Sequence, residues 1–276
     1  MINEDYIPKI DLSNLIAHGV NSPDAQNTIQ EIKKASEEVG FFTVTNHGVS
    51  SQSIDKITTT ARSFFHLPLD KKLTIAPKKW NKNTDTVYRG YFPSEVNGKE
   101  GLDIGDPLLT HDMTDLTQKE KFEVNHNMSA IDHNWQNTIN NYYDQVFGLG
   151  IHLFKALISC FSSNIELADF AFQRPKTLST LRFNYYPNQE KPVEISSQDG
   201  VALGCETHVD SGIMTILYQD KKGGLQVQNR HNLQWYDVPH DPQSYVVNSG
   251  LALQYLTNGH FKATNHRVLF NKEERI

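Results

Sequence analysis

The chain of 276 residues carries only two cysteines, Cys160 and Cys205, placed far apart. Two distant thiols make no disulfide framework. They fit a reducing, cytoplasmic compartment in which both are buried or idle. There is no run of lysine and arginine, and the formal net charge is −6, so a nucleic-acid partner is not expected. No apolar run is long enough to span a membrane. The opening MINEDYIPKIDLSNL has neither a basic nor a long apolar region, so neither a signal peptide nor a membrane partner is expected. Internal repeats and low-complexity linkers are also missing. What remains is ordinary for a globular protein: 38% hydrophobic and 21% charged residues, in a chain long enough for a sizeable core. A monomer acting on a small molecule is the expectation.

The pattern of apolar residues divides the chain in texture. IPKIDLSNL (7–15) begins with a short extended signal. Residues 24–39 place Ile29, Ile32, Ala35 and Val39 on one helical face, with Gly40 where a C-cap would sit. FFTVTNHGV (41–49) reads as a strand and turn, and 51–66 as a second helix. Residues 78–115 are turn-rich, with room for a short strand, and 131–163 hold the longest helical pattern. From 178 onward short β-type runs alternate with Gly, Asn, Asp and Pro, as in a sandwich or barrel. The fold class is therefore α+β, with a β core backed by helices and an N-terminal α/β segment. The expected organisation is 1–115 as an N-terminal α/β region, 116–175 as a helical segment packing on the core, and 176–276 as the β core, all in one compact unit.

Within GCETHVDSGIMTIL (204–217), His208 and Asp210 stand two residues apart. On a strand such side chains point the same way, so one element can offer an imidazole nitrogen and a carboxylate oxygen to one ion. The triplet alone is common, and a third ligand must come from elsewhere. His231 and His240 sit in polar, turn-like contexts, and His260 follows a turn signal in TNGHF. His266, in the strand pattern FKATNHRVLF, is best placed to return to the same end of a β core. Two histidines and one carboxylate form the facial triad of non-haem Fe(II) oxygenases, and zinc remains a physical alternative. His47 in NHGV reads as a structural turn residue.

Several motifs in order resemble the isopenicillin N synthase-like family of Fe(II)- and 2-oxoglutarate-dependent oxygenases. They are IPKIDLS, ASEEVGFFTVTNHGVS (35–50), FFHLPLDKK (64–72), YRGYFP (88–93), LRFNYYP (181–187), THVDSGIMTIL (207–217), GGLQV (223–227), VVNSGLALQYLTNG (246–259) and NHRV (265–268). The resemblance implies a double-stranded β-helix, or jelly-roll, core. It implies His208, Asp210 and His266 as iron ligands, with 2-oxoglutarate and O2 as cosubstrates. Asn184 and Tyr186 would then face the cosubstrate, or form no more than an aromatic strand edge. Arg182 points with them by alternation and either meets an anionic substrate or pairs with a carboxylate. Tyr91, with Tyr88 and Phe92, either lines the substrate site or packs its loop.

The distal carboxylate of 2-oxoglutarate needs a buried cation, best a guanidinium. The family supplies it in an Arg-x-Ser motif, and Arg275 stands where that arginine is expected. The serine has no counterpart before Ile276, so the C-terminus reads as truncated and Arg275 is at risk of fraying. A second departure is Leu251, where the family has an acidic residue, and a local hydrogen bond is expected to be lost. The activity implied is oxidation of a C–H bond, most simply hydroxylation, coupled to decarboxylation of 2-oxoglutarate to succinate and CO2. The alternatives are an oxidase of the same family that works without 2-oxoglutarate, and a catalytically silent binding protein with the same fold. The expected substrate is a small secondary metabolite or amino-acid derivative.

Overall fold

Frequent turn formers cut the apolar runs into short strands, and the computed structural model assembles them into three sheets. It describes residues 6–94, 98–110, 116–128, 131, 133–162, 164–175 and 177–276. In chain order the strands are β1 (Lys9–Asp11), β2 (Phe41–Thr45), β3 (Gly90–Phe92), β4 (Glu100–Ile104), β5 (Leu181–Tyr185) and β6 (Glu194–Ile195). They continue as β7 (Ala202–His208), β8 (Met214–Leu217), β9 (Leu225–Gln228), β10 (Trp235–Asp237), β11 (Tyr245–Ser249) and β12 (His266–Leu269). The helices are α1 (Ser13–His18), α2 (Gln26–Glu38), α3 (Ser51–Phe65), α4 (Leu69–Leu73), α5 (Gln118–Glu123), α6 (His133–Ser159), α7 (Glu166–Ala171) and α8 (Leu251–Leu256). No helix among the described residues is long and apolar enough to cross a membrane.

The chain folds as two compact units, each drawn from separated segments. The first holds the described residues up to Gly48, with Gly148–Ala168 and Gln189–Lys272; the second holds Val49–Phe147, Asp169–Asn188 and Glu273–Ile276. The expected division at 1–115, 116–175 and 176–276 follows the chain consecutively, whereas these units interleave separated segments. Strand pairing is the reason: β2, from the N-terminal segment, lies between β1 and β11 and is antiparallel to β11, so it belongs to the β core. Residues 115 and 176, at the expected boundaries, lie outside the described residues.

The first unit contains a four-stranded sheet, β1-β2-β11-β8, and a five-stranded antiparallel sheet, β10-β9-β12-β7-β6. Phe41 and Val246 of the first sheet pack with Leu225 and Val227 of the second, joined by Ile7, Val39 and Val238, and flanked by Leu217 and Val268. Two sheets interleaving their inner faces in this way form the double-stranded β-helix core. Burying each such side chain contributes roughly 1.5–3 kcal/mol. An exposed ion pair such as Lys9–Asp241, 2.7 Å apart, contributes at most about 1 kcal/mol. Apolar layering therefore holds the sheets together. Helix α2 buries Ile29, Ile32 and Ala35, as its period requires. Helix α6 backs the four-stranded sheet near Ile216, whose side chain would lie 3.7 Å from a Cβ on Gly150.

In the second unit, β3, β4 and β5 form an antiparallel sheet. The turn-rich stretch thus supplies two strands rather than one, although 95–97 and 111–115 lie outside the described residues. Helix α3 covers this sheet: Phe65 stacks on Tyr185 at 4.9 Å, and Phe64 meets Tyr91 edge-on at 5.8 Å. Beneath them Glu100 accepts bonds from the Lys72 ammonium and the Tyr91 hydroxyl, so the buried charge of Lys72 is paired.

Gly40 ends α2 with φ 79°, and its N–H bonds the Ala35 carbonyl at 2.8 Å. A Cβ there would stand 2.2 Å from the Lys262 carbonyl oxygen. Gly40→Ala should therefore cost more than the ~1–2 kcal/mol of left-handed strain alone. Urea unfolding should show this as a lowered midpoint with an unchanged slope.

Candidate metal centre

His208 is the last residue of β7 and His266 the first of β12, and the two are directly paired across the antiparallel ladder. That register sets their rings 4.2 Å apart, centroid to centroid. Asp210 lies just beyond β7, in the turn that leads to β8, rather than on the strand as expected. Its Oδ1 is nevertheless 3.8 Å from His208 Nε2 and 3.7 Å from His266 Nε2. One donor atom from each of the three residues falls within a 4.8 Å span. His266 and Asp210 are largely shielded, while the His208 side chain is 38% exposed, so the cluster opens on the His208 side.

The remaining atoms of these residues are already engaged. His208 Nδ1 lies 2.8 Å from the Glu206 carbonyl and His266 Nδ1 3.1 Å from that of Thr264. A carbonyl only accepts, so each Nδ1 carries the proton and each Nε2 presents its lone pair. Asp210 Oδ2 accepts from Thr215 Oγ1 at 2.6 Å and Asn248 Nδ2 at 2.9 Å, which leaves Oδ1 toward the histidines. Burial raises the Asp210 pKa, but the bonds from Asn248 and Thr215 and the two nearby imidazoles outweigh it, and the net shift is downward. The His208 pKa is raised, chiefly by a hydrogen bond with Cys205 and against burial, with help from the Glu206 carbonyl and Asp210.

Two neutral imidazole nitrogens and one ionised carboxylate oxygen suit a divalent first-row metal. Three donors on one side leave further coordination positions, as the facial triad requires. The residues present therefore fit Fe(II).

Sequence reasoning missed four supports. Thr215 and Asn248 orient Asp210 from β8 and β11. Gly250 lets the chain pass closely, since a Cβ there would stand 2.2 Å from the Gly212 carbonyl oxygen. Cys205, expected to be buried or idle, is half-buried and is the chief influence that raises the His208 pKa. The bond expected to be lost at Leu251 has a backbone counterpart, because its N–H donates to the Asp210 carbonyl at 2.8 Å. The other histidines considered lie apart from this cluster. His47 is buried edge-on against Tyr245, His240 bonds the Gln219 carbonyl, His231 is exposed, and His260 is exposed beside Phe161.

The other candidates lie in the second unit. Arg275 does not fray. It is 5% exposed, forms an antiparallel bridge with Tyr186 through bonds of 2.9 and 3.0 Å, and sets its guanidinium 4.4 Å above the Tyr186 ring. Lys99 approaches the same ring at 5.7 Å. Asn184 is half-buried on β5, opposite Gly101. Arg182 makes a two-pronged bond to Asp103, its partner across the β4–β5 ladder, which favours carboxylate pairing over a substrate contact. Tyr91 is 1% exposed with its hydroxyl on Glu100, so the packing alternative holds there as well.

A jelly roll carrying two histidines and a carboxylate at paired strand ends defines a class, the mononuclear non-haem metal oxygenases. Residues 177–276 match the 2OG-Fe(II) oxygenase superfamily, and 7–143 match the "non-haem dioxygenase in morphine synthesis N-terminal" family. Jasmonate-induced oxygenase 2 of Arabidopsis thaliana is 31% identical over 282 residues, covering 98% of this chain and 68% of that protein. Isopenicillin N synthase of Streptomyces griseus is 29% identical over 280 residues, covering 98% and 82%. The dioxygenase for auxin oxidation 1 from Arabidopsis thaliana, solved with 2-oxoglutarate, superposes with a TM-score of 0.71 at 25% identity, covering 98% and 89%. The chain belongs to the 2OG-Fe(II) oxygenase superfamily, and is an Fe(II)- and 2-oxoglutarate-dependent dioxygenase that uses O2.

Residues that orient a metal ligand typically affect affinity by roughly 10–100-fold when removed. Thr215→Val and Asn248→Leu should each weaken Mn(II) binding by about that factor. Calorimetric titration of the metal into each folded variant measures the change.

Proposed function

We propose that His208, Asp210 and His266 hold Fe(II), and that Arg275 and Tyr186 bind the distal carboxylate of 2-oxoglutarate, with Asn184 beside them. The observation that carries this reading is the convergence of the three donor atoms within 4.8 Å, each on a residue whose other polar atom is already bonded. When bound, Fe(II) supplies the O2 chemistry that couples decarboxylation of 2-oxoglutarate, to succinate and CO2, with oxidation of a substrate C–H bond. The chain's own residues do the rest. Each Nδ1–H holds its imidazole in the ligating tautomer, and Thr215 and Asn248 keep Asp210 aimed. The buried Arg275 supplies a positive charge against the Tyr186 ring.

The reaction we propose is hydroxylation of a small secondary metabolite or amino-acid derivative. Similarity to isopenicillin N synthase and to a jasmonate-induced oxygenase supports that substrate class. A cytoplasmic monomer without nucleic-acid or membrane partners fits the net charge of −6 and the two cysteines placed far apart in the chain.

Iron-loaded protein should release succinate only when 2-oxoglutarate is supplied, and a screen of candidate metabolites should stimulate that release. Substrate oxidation without 2-oxoglutarate would instead establish the oxidase. His208→Ala, Asp210→Ala and His266→Ala should each lose most metal binding.

Removing one partner of a buried charge pair costs on the order of 3–5 kcal/mol. Arg275→Ala should therefore weaken 2-oxoglutarate binding to Mn(II)-loaded protein by at least about a hundredfold. Equal affinities in calorimetry would remove Arg275 from the site.

A further inference from the structure

We infer that Arg267 is a positioning residue for the metal centre, holding the two histidine-bearing strands in register from the opposite face of their sheet. The inference rests on the reading of His208, Asp210 and His266 as ligands. Successive residues of a strand point to opposite faces. His266 faces Phe41 and His208, and Arg267 therefore turns away from the core. An arginine on that face would ordinarily be solvated, yet Arg267 is 2% exposed. The Trp235 ring covers it, 4.0 Å from the guanidinium carbon.

Its donors are used across the sheet. Nε bonds Gln226 on β9 at 2.8 Å, and Nη1 and Nη2 grip both oxygens of Asp199 at 3.1 and 2.8 Å. Asp199 sits in the turn joining β6 to β7, the strand that ends in His208. The grip, aided by Ser196 and the Val201 N–H and opposed by burial, lowers the Asp199 pKa to about 2. Gln226 in turn donates to Asp237 on β10 at 2.8 Å. One polar ladder thus runs from the β6–β7 turn through β12 and β9 to β10.

The ladder lies where the backbone pairing is irregular. Along β12 the partners on β7 pass from His208, opposite His266, to Cys205, opposite Val268, so Arg267 lies across from Glu206 and Thr207. Two residues opposing one is a β-bulge, which disrupts the ladder locally and re-aims side chains. The bulge also contains the Glu206 carbonyl that fixes the His208 tautomer. With regular backbone bonds interrupted there, the Arg267–Asp199 pair supplies the cross-strand constraint. It thereby keeps His208 Nε2 opposite His266 Nε2.

The test is Mn(II) titration into the full-length chain carrying Arg267→Met, Arg267→Lys, Asp199→Asn or the Arg267→Met/Asp199→Asn pair, with urea unfolding of each. Arg267→Met and Asp199→Asn should each weaken Mn(II) by roughly 10–100-fold, the range for residues that orient ligands. The double variant should lose no more than the worse single, and Arg267→Lys should recover part of the loss. The visible spectrum of Co(II)-loaded Asp199→Asn should shift from that of the wild type. Folded variants that bind Mn(II) within twofold of wild type, with an unchanged Co(II) spectrum, would overturn the inference and leave a purely structural ion pair. If Arg267→Met does not fold, Asp199→Asn carries the same test, because its side chain is partly exposed and the change is isosteric. His266→Ala is the control. If it loses metal while the Arg267 and Asp199 variants do not, this inference alone fails; if it binds as wild type, the ligand assignment fails with it.

Discussion

The pairing of His266 with His208 across the β7–β12 ladder is the constraint on which the candidate metal centre depends. Neither strand supplies all three donors by itself. Antiparallel pairing places directly opposed side chains close together, and here it does so at the point where one strand ends and the other begins. The aspartate arrives from the turn between β7 and β8, which is free to bend because it is not in a ladder. A one-residue slip of β12 would turn His266 to the outer face and bring Arg267 inward. Much of the surrounding structure acts against such a slip: the apolar layer between the sheets, the β9–β12 ladder, and the polar network on the far face.

Around the cluster, neutral and charged partners divide the work. Carbonyl groups from Glu206 and Thr264 set the imidazole tautomers, and neutral donors from Thr215 and Asn248 set the carboxylate. None of these four brings a full charge, so the Asp210 carboxylate is held without a resident cation competing for it. The strong ion pairs, Arg267–Asp199 in the first unit and Lys72–Glu100 and Arg174–Asp106 in the second, are each made by groups other than the ligands. These three charge pairs are thus neutralised locally, while the triad keeps its net negative charge for a metal.

The helix periods at 24–39 and 51–66 translated directly into α2 and α3, because both helices bury one apolar face and expose the other. Gly40 was legible as a helix stop because only a residue tolerant of positive φ suits that position. Other features had no local signal. The membership of β2 in the core sheet comes from pairing with a strand some two hundred residues away in the chain. Asn248 looks like an ordinary strand residue until the pairing of β11 with β8 brings it to Asp210. Arg182 and Tyr91 carried the right chemistry for substrate contact, but Asp103 and Glu100 supply partners that only the β4 pairing could reveal.

By itself, the sequence determined the ligand types, the order of the motifs and the β-rich character of the core, since these follow from side-chain chemistry and local periodicity. Those features made His266 the preferred candidate among several histidines, and the order of the motifs carried the resemblance to the family. Only the tertiary structure decided that Asp210 leaves the strand, that Arg275 is bridged to Tyr186 rather than frayed, and that Arg267 is buried beneath Trp235. Each of these depends on which distant segment lies alongside. That choice is made by the summed burial of the whole core and not by any local preference of the residues concerned.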